Sequence, residues 1–524
     1  VARLTQPQGE GALDVIDNAH SEPELAVLLP ESAPEGRGPR SERDRGGTAL
    51  TVMFVLVLVV GLALRGLVLR TSMARQNSDT SVVYLMARHA AQGDMRPFFW
   101  GQQYGGTLIQ LTAGALFLVV KPDFVALQLV EIGFWLAACV LLRSVVAAGC
   151  GTDAGNIAGA LFWLASRFLV KMSFSDPGFY GSGLVLGLAA IRLAQAARDR
   201  VNVRTAGAMG LCLGLALWTT PFALALGGPA ALWFVARIRS KWPALVGLGA
   251  LVAGAGPWLW ANMHTGVASL EPLAQTDSGC VARLVRVFTW LVPAMAGCPP
   301  ASPQGWVIAG LAVISVVGGI IVAAWKPNPT LAVLSLSAVL VALVVVAADV
   351  SVVPAAGRYA IFLLPAVLGV LGCLFGRRPV PAAFVVALVA LLTVRSVWQT
   401  TDGLRPVPEP AIGVETSELA RYLEQQGRTA VWADYWESYL LSAATDERIR
   451  AAALAPPQYR REPSYEVAAS QAPQTTLVLF AGRENDATLQ RQRDLPAHRR
   501  TLVGPFAVWV FDVRFDPRFL TSLS

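Results

Sequence analysis

Hydrophobic runs of about 20 residues recur in this chain from Ala49 to Val394, the length at which a helix crosses a bilayer with its backbone hydrogen bonds satisfied internally. No other feature narrows the fold as far: the chain reads as a polytopic α-helical membrane protein. Charged residues make up only 15% of the sequence, against about 25% in soluble domains. Most arginines and lysines sit in short loops beside the runs. The net charge of +7 therefore bears on topology and does not point to nucleic acid.

Residues 1–48 are polar, rich in Pro, Gly, Glu and Arg, and read as a disordered cytoplasmic tail. Arg37, Arg40, Arg43 and Arg45 place the start of the first run, Ala49–Leu69, inside. That run begins too late for a cleaved signal peptide and reads as a retained anchor. Thr107–Val120 is short for a span. If it lies in the outer interface, the spans at Ala126–Leu142, Ile157–Val170 and Gly183–Leu193 bring the basic loop Arg198–Arg204 inside. If it crosses, that loop falls outside, and the positive-inside rule selects the first arrangement. Ala206–Trp218 and Pro221–Val235 then form a short pair. Leu245–Trp260 leads out, Val307–Ala324 in, Leu331–Ala347 out, Tyr359–Phe375 in and Ala382–Val394 out. The membrane body is expected over 49–402 with about eleven spans, its N-terminus inside and its C-terminus outside.

Two segments are not spans. The first outer loop, 70–106, contains the polar, aromatic stretch Asn77–Gly106, which reads as a reaction chamber. Asp79 opens an amphipathic helical pattern, Gly93-Asp94 closes it, and Trp100-Gly101-Gln102-Gln103-Tyr104-Gly105-Gly106 makes a tight turn. In 403–524, strand-like Thr429–Ala433, Thr476–Phe480 and Phe506–Val513 alternate with helical Leu419–Gln426, Tyr439–Ala444 and Ala487–Arg493. That alternation predicts a small extracytoplasmic α/β domain. Of six cysteines, Cys139, Cys212 and Cys373 lie in apolar runs as small core residues and Cys150 lies in a short loop. Cys280 and Cys298 share a loop and are expected to pair if it faces an oxidising compartment. The four histidines are scattered, and no zinc-ligand spacing occurs.

The topology gathers Asp79, Asp94, Lys171, Asp176, His264 and Arg358 on the outer side, although none of them enters the topology argument. Lys171 and Arg358 run against the positive-inside bias, which suggests a functional reason for them. Each residue also has a plain structural reading. Asp79 suits a helix N-cap, Asp176 an Asp-Pro-Gly turn and Asp94 another turn. His264 fits an aromatic belt. Lys171 and Arg358 can snorkel, but the Arg358 guanidinium is also a planar fork for a phosphate.

Asp79 with the helix that follows it, Gly93-Asp94, the Trp100–Gly106 turn and Gly357-Arg358-Tyr359 with Leu364-Pro365 resemble the GT-C glycosyltransferases. The nearest branch is that of the protein O-mannosyltransferases and lipid A aminoarabinose transferases. Pro257-Trp258, Asn262 and Ala433-Asp434-Tyr435-Trp436 are similar to segments of uncharacterised bacterial members. The resemblance implies inverting transfer of a sugar from a polyprenyl-phosphate donor to a glycan, lipid or protein acceptor, outside the plasma membrane. It also implies that the base is an acid in the first outer loop, which maps onto Asp79. The family often has a second acid beside it. Here Thr80 stands there, so no cofactor is required and a divalent cation is left open.

The chemistry is reasonable from first principles. A polyprenyl phosphate is a fair leaving group, so one carboxylate to take the acceptor proton and one cation to neutralise the phosphate suffice. Asp79 is assigned the first task and Arg358, with Lys171, the second. Asp94, Asp176, His264 and the turn residues Trp100, Gln102, Gln103 and Tyr104 are assigned to the acceptor side. A lipid or polysaccharide transporter is the main alternative, although transporters place their polar groups near the bilayer midplane. An inactive GT-C-shaped scaffold is the other, and Thr80 keeps it open.

Overall fold

The apolar runs fold into helices of very unequal length. In chain order they are α1 (Glu42–Val68), α2 (Ser78–Ala91), α3 (Leu108–Phe117), α4 (Phe124–Cys150), α5 (Thr152–Trp163) and α6 (Arg167–Met172). There follow α7 (Tyr180–Ala196), α8 (Val203–Thr219), α9 (Pro221–Val235), α10 (Lys241–Gly254), α11 (Gly256–Thr265) and α12 (Cys280–Arg286). The last of the apolar set are α13 (Val292–Met295), α14 (Pro303–Trp325), α15 (Pro329–Ala347), α16 (Leu363–Phe375) and α17 (Pro379–Thr400). The computed structural model describes residues 42–266, 269, 279–348, 357–376 and 378–520. The expected disordered tail lies almost wholly outside the described residues.

Among the described residues, 5 helices are long and apolar enough to cross a membrane: Thr48–Val68 of α1, α4, α14, α15 and Val380–Thr400 of α17. The α10–α11 pair, bent by 58°, makes a sixth if taken as one span. The expected count of about eleven spans is therefore not reached by helices of spanning length. Several expected spans are short or broken instead. The run Ile157–Val170 is interrupted between α5 and α6, and Arg65 of α1 fills the break. It is 1% exposed, donates to the Trp163 carbonyl at 3.1 Å and to Ser173 Oγ at 2.7 Å, and stacks on the Trp163 ring at 3.7 Å. Irregular backbone inside a bundle needs partners of this kind. The core runs along α4, α5, α7, α9, α15 and α16. Helices α8 and α10 pack with backbones in contact: a Cβ on Gly210 would collide with the Gly247 carbonyl oxygen, the small-residue packing typical of apolar bundles.

Residues 403–520 carry α18 (Val414–Gln425), β1 (Ala430–Asp434), α19 (Tyr435–Ala444), β2 (Arg450–Leu454) and α20 (Pro463–Gln471). They continue with β3 (Thr476–Phe480), α21 (Glu484–Arg491), β4 (His498–Val503) and β5 (Phe506–Phe511). The sheet order is β2-β1-β3-β5-β4. β2, β1 and β3 are parallel, and β5 and β4 close the sheet antiparallel. The expected α/β alternation holds, and β1, β3 and β5 fall where strands were expected. β2 and β4 are additions. β2 reads Arg-Ala-Ala-Ala-Leu, poor in the β-branched residues that mark strands, and pairing with β1 is what makes it one.

The cysteine pairing differs from expectation. Cys150, the last residue of α4, is bonded to Cys373 of α16, whereas Cys280 and Cys298 are free. From Cys280 to Met295 the chain is helical through α12, a π turn at Val287–Leu291 and α13. Its ends thus stand about 20 Å apart, far beyond the ~7 Å a disulfide tolerates between Cα atoms.

Candidate active site

Helix α2 begins the site. Its N-cap is Asn77, not Asp79: the Asn77 side chain accepts from Thr80 N at 3.0 Å, and Thr80 Oγ1 accepts from Asn77 N at 3.0 Å. This closed capping box corrects the cap reading of Asp79 and gives Thr80 a structural role. Asp79 is left in the first turn, 8% exposed, where the helix dipole favours a carboxylate. Ser78 anchors the turn to α19: its hydroxyl donates to the Tyr435 carbonyl oxygen and accepts from Tyr439 N at 3.3 Å.

One face of Asp79 is held by residues more than 350 positions away. Tyr435 donates its hydroxyl to Asp79 Oδ1, and Arg461 Nη2 donates to the same oxygen at 3.2 Å. Arg461 also donates to the Tyr435 hydroxyl, from Nη2 at 3.0 Å and Nε at 3.3 Å. With its oxygen turned toward Arg461, the Gln102 amide accepts from Nη1 at 2.7 Å. The guanidinium is packed among Phe99, Tyr459 and Tyr435, its carbon 5.2 to 5.8 Å from the ring centres. Burial, followed by the Asp79 carboxylate, pushes the Tyr435 phenol well above its ordinary range, so it remains a hydroxyl donor.

The loop after β2 can come this close because Gly101 lies against it. Gly101 has φ +65°, and a Cβ there would collide with the Arg460 carbonyl oxygen and approach Arg461 Cα to 2.7 Å. Glycine meets both demands, the left-handed backbone and the close approach.

The other face of Asp79 is looser. Arg358, in the single turn Gly357–Ala360 before α16, brings Nη1 to 3.7 Å from Oδ2, too long for a hydrogen bond. The Arg358 side chain is 37% exposed and that of Arg461 3%, so the two cations have different freedom. Tyr104 stands within electrostatic reach of Asp79, Arg358 and Arg461, and burial, then Tyr359, push its phenol up to about 12.

The structure thus brings together Asp79, Arg358, Gln102 and Tyr104 of the expected residues. Gln103 is exposed on the same turn. Trp100 is buried, edge-on to His89 at 5.0 Å and to Tyr465 at 6.5 Å, and acts as packing beneath the turn. Asp94 lies beyond the far end of α2, about 20 Å along the helix from Asp79, where it bonds Arg96 at 2.9 Å and His89 at 3.3 Å. Asp176 is fully buried. Its carboxylate accepts from the backbone N–H groups of Gly178, Phe179, Tyr180 and Gly181 and from Trp135 Nε1, and so ties down the start of α7. Tyr180, held there, is within electrostatic reach of both Asp176 and Arg358. Lys171 is exposed on α6, and no ion pair joins it to an acid among the described residues. His264 is exposed and bonds the Trp260 carbonyl of its own helix at 2.7 Å.

Arg461 carried no signal in the sequence, since Arg460-Arg461 looks like any basic pair in a polar loop. Tyr435 was visible only within the segment Ala433–Trp436.

The donor set does not suit a divalent cation. Two guanidiniums and a phenol surround the Asp79 carboxylate, and Thr80 is engaged in the cap. Among the described residues no group of three His, Cys, Asp or Glu side chains converges.

No protein-family model and no curated protein matches the sequence. Solved structures do match the fold. The chain superposes on ArnT from Cupriavidus metallidurans bound to undecaprenyl phosphate with a TM-score of 0.56 at 12% identity, covering 87% of this chain and 97% of that one. The oligosaccharyltransferase of Archaeoglobus fulgidus, in complex with Zn and sulfate, matches with a TM-score of 0.49 at 12% identity, over 81% of this chain and 67% of that one. The likeness expected from the sequence is met at the level of the fold.

Proposed function

We propose that this chain is a multi-pass membrane glycosyltransferase that moves a sugar from a polyprenyl-phosphate donor to an acceptor hydroxyl, with inversion, on the outer face of the cell membrane. The carrying observation is the asymmetry at Asp79. Oδ1 is fixed by Tyr435 and Arg461, while among the described residues Oδ2 meets only the long contact to the partly exposed Arg358. The shared fold with a protein solved with undecaprenyl phosphate supports the donor class.

In this mechanism Asp79 Oδ2 takes the proton of the acceptor hydroxyl as its oxygen attacks the anomeric carbon. The bond from that carbon to the phosphate oxygen breaks on the opposite face, so the configuration inverts. Arg358, free to exchange carboxylate for phosphate, neutralises the departing charge. Arg461 and Tyr435 act as positioning residues that hold the base, and Asp176 supports the wall through Tyr180. The lipid tail of the donor stays in the bilayer, and the acceptor is a hydroxyl of a glycan, lipid or protein.

The test is Asp79→Asn in membranes supplied with a panel of radiolabelled polyprenyl-phosphate sugars. Asn77 caps α2, so the substitution leaves the cap intact. Turnover should fall by roughly 10²–10⁴-fold with little loss of folded protein. Transfer at the normal rate would reject the mechanism.

A further inference from the structure

Two further aromatic rings stand beside Tyr435: Trp436, which the proposed chemistry does not use, and Tyr459, one face of which packs on Arg461. Trp436 follows Tyr435 at the start of α19 and is 40% exposed. Its indole stands 5.0 Å from the Tyr435 ring at 75°. Tyr459, partly exposed, stands 5.6 Å from the same ring. Tyr435 is itself bonded to Asp79, so both outer rings lie one residue away from the proposed base. On the Trp100–Gly106 turn, which meets Arg460 and Arg461 through Gly101 and Gln102, Gln103 is exposed and Tyr104 partly so.

This combination has a recognisable chemistry. An indole left in water forgoes a large burial term. A sugar ring restores it, because the C–H face of the ring is apolar and lies flat on an aromatic surface. The hydroxyls at the ring's edge meanwhile need amide and phenol partners, which Gln103 and Tyr104 offer. The platform also sits where ligands gather in α/β folds, at the carboxyl end of a parallel strand: Trp436 lies just past β1, and Tyr459 a few residues past β2.

We propose that Trp436 and Tyr459 form a stacking platform for a sugar ring at the mouth of the Asp79 site, with Gln103 and Tyr104 meeting its hydroxyls. The proposal rests on the transferase reading and deepens it: one substrate presents a carbohydrate face to residues 403–520. The ring belongs either to a glycan acceptor or to the donor's own sugar, and kinetics separate the two.

The experiment uses the full chain in detergent, as wild type, Trp436→Ala and Trp436→Phe. Saturation-transfer NMR follows binding of mannotriose, arabinotriose and cellotriose. Initial rates give KM for saccharide and for polyprenyl-phosphate donor. The wild type should bind at least one trisaccharide, Trp436→Ala should weaken it about tenfold, and Trp436→Phe, which keeps a ring, should stay within about threefold. A raised saccharide KM assigns the platform to the acceptor. A raised donor KM alone assigns it to the donor sugar. Trisaccharide binding and both KM values unmoved by Trp436→Ala overturn the platform, as does a Phe variant as impaired as Ala. A wild type that binds a trisaccharide through Trp436 but consumes no polyprenyl-phosphate sugar rejects the transferase reading and leaves the platform standing. One that binds no trisaccharide and consumes no donor overturns both.

Discussion

Glu437 is buried in the first turn of α19, two residues beyond Tyr435. Burial pushes its carboxyl up to about 8 from an ordinary 4.5, against smaller downward pulls from Thr416 and Arg75. The sign follows from linkage. Between these values the folded protein keeps a proton that the unfolded chain has released, so stability falls as pH rises. Glu437→Gln should abolish this slope. Its Tm in detergent should change less than the wild type's from about pH 5 to about pH 8, and should exceed it at the upper end. Parallel Tm profiles would place the proton elsewhere. The residues around Asp79 illustrate how far one-dimensional reading reaches at this scale. Asn77, Ser78, Asp79 and Thr80 include several good caps, and from the sequence only Asp79 is considered for that role. The backbone chose Asn77, because Thr80 three positions on could return the hydrogen bond, and Asp79 was thereby freed for the cluster.

At the scale of elements, the site depends on two loops touching. The turn after α2 meets the loop after β2 at Gly101, where backbone conformation and space both exclude a side chain. Gly101→Ala should push Arg460 and Arg461 away, loosen Asp79 and lower turnover by about tenfold or more. Gly93→Ala is the control. Gly93 also has a positive φ, of 93°, but a Cβ there meets nothing within 4 Å. It should cost only about 1 kcal/mol of stability and leave the rate nearly unchanged. Equal rate losses in the two variants would show that backbone strain, not the contact, is responsible. Element reading from sequence succeeded where the signal was local, as in β1, β3, β5 and most helices. It missed β2 and β4, one an alanine-rich strand and the other a basic edge strand, because strand character there comes from the neighbour. Its count of about eleven spans is not matched by helices of spanning length among the described residues, and hydropathy does not see the break between α5 and α6 that Arg65 bridges.

Across the whole molecule, α7 starts beside the site at Tyr180 and runs 17 residues, about 25 Å, to the basic loop Arg198–Arg204. The site and that loop therefore lie at opposite ends of a helix about 25 Å long. If the site faces outward, single cysteines placed in Asn77–Gly106 and in 403–520 should react with an impermeant thiol reagent applied from outside, and cysteines in Arg198–Arg204 should not. The opposite pattern would invert the protein. In that case Cys150–Cys373, at the end of α4 away from the site, would face an oxidising compartment, where such bonds persist. The sequence by itself determined the helical membrane body, the α/β character of 403–520, and the presence of an acid in the first loop and a cation before a late span. Hydropathy, periodicity and turn chemistry are properties of neighbouring residues, and these features need nothing more. Only the tertiary structure decided that Arg461 meets Asp79 across 382 positions, that Cys150 and not Cys280 finds a partner, and that Asp176 is consumed by backbone donors. Those outcomes depend on which surfaces pack together, and packing brings distant residues within bonding range without leaving a mark on the sequence around either one.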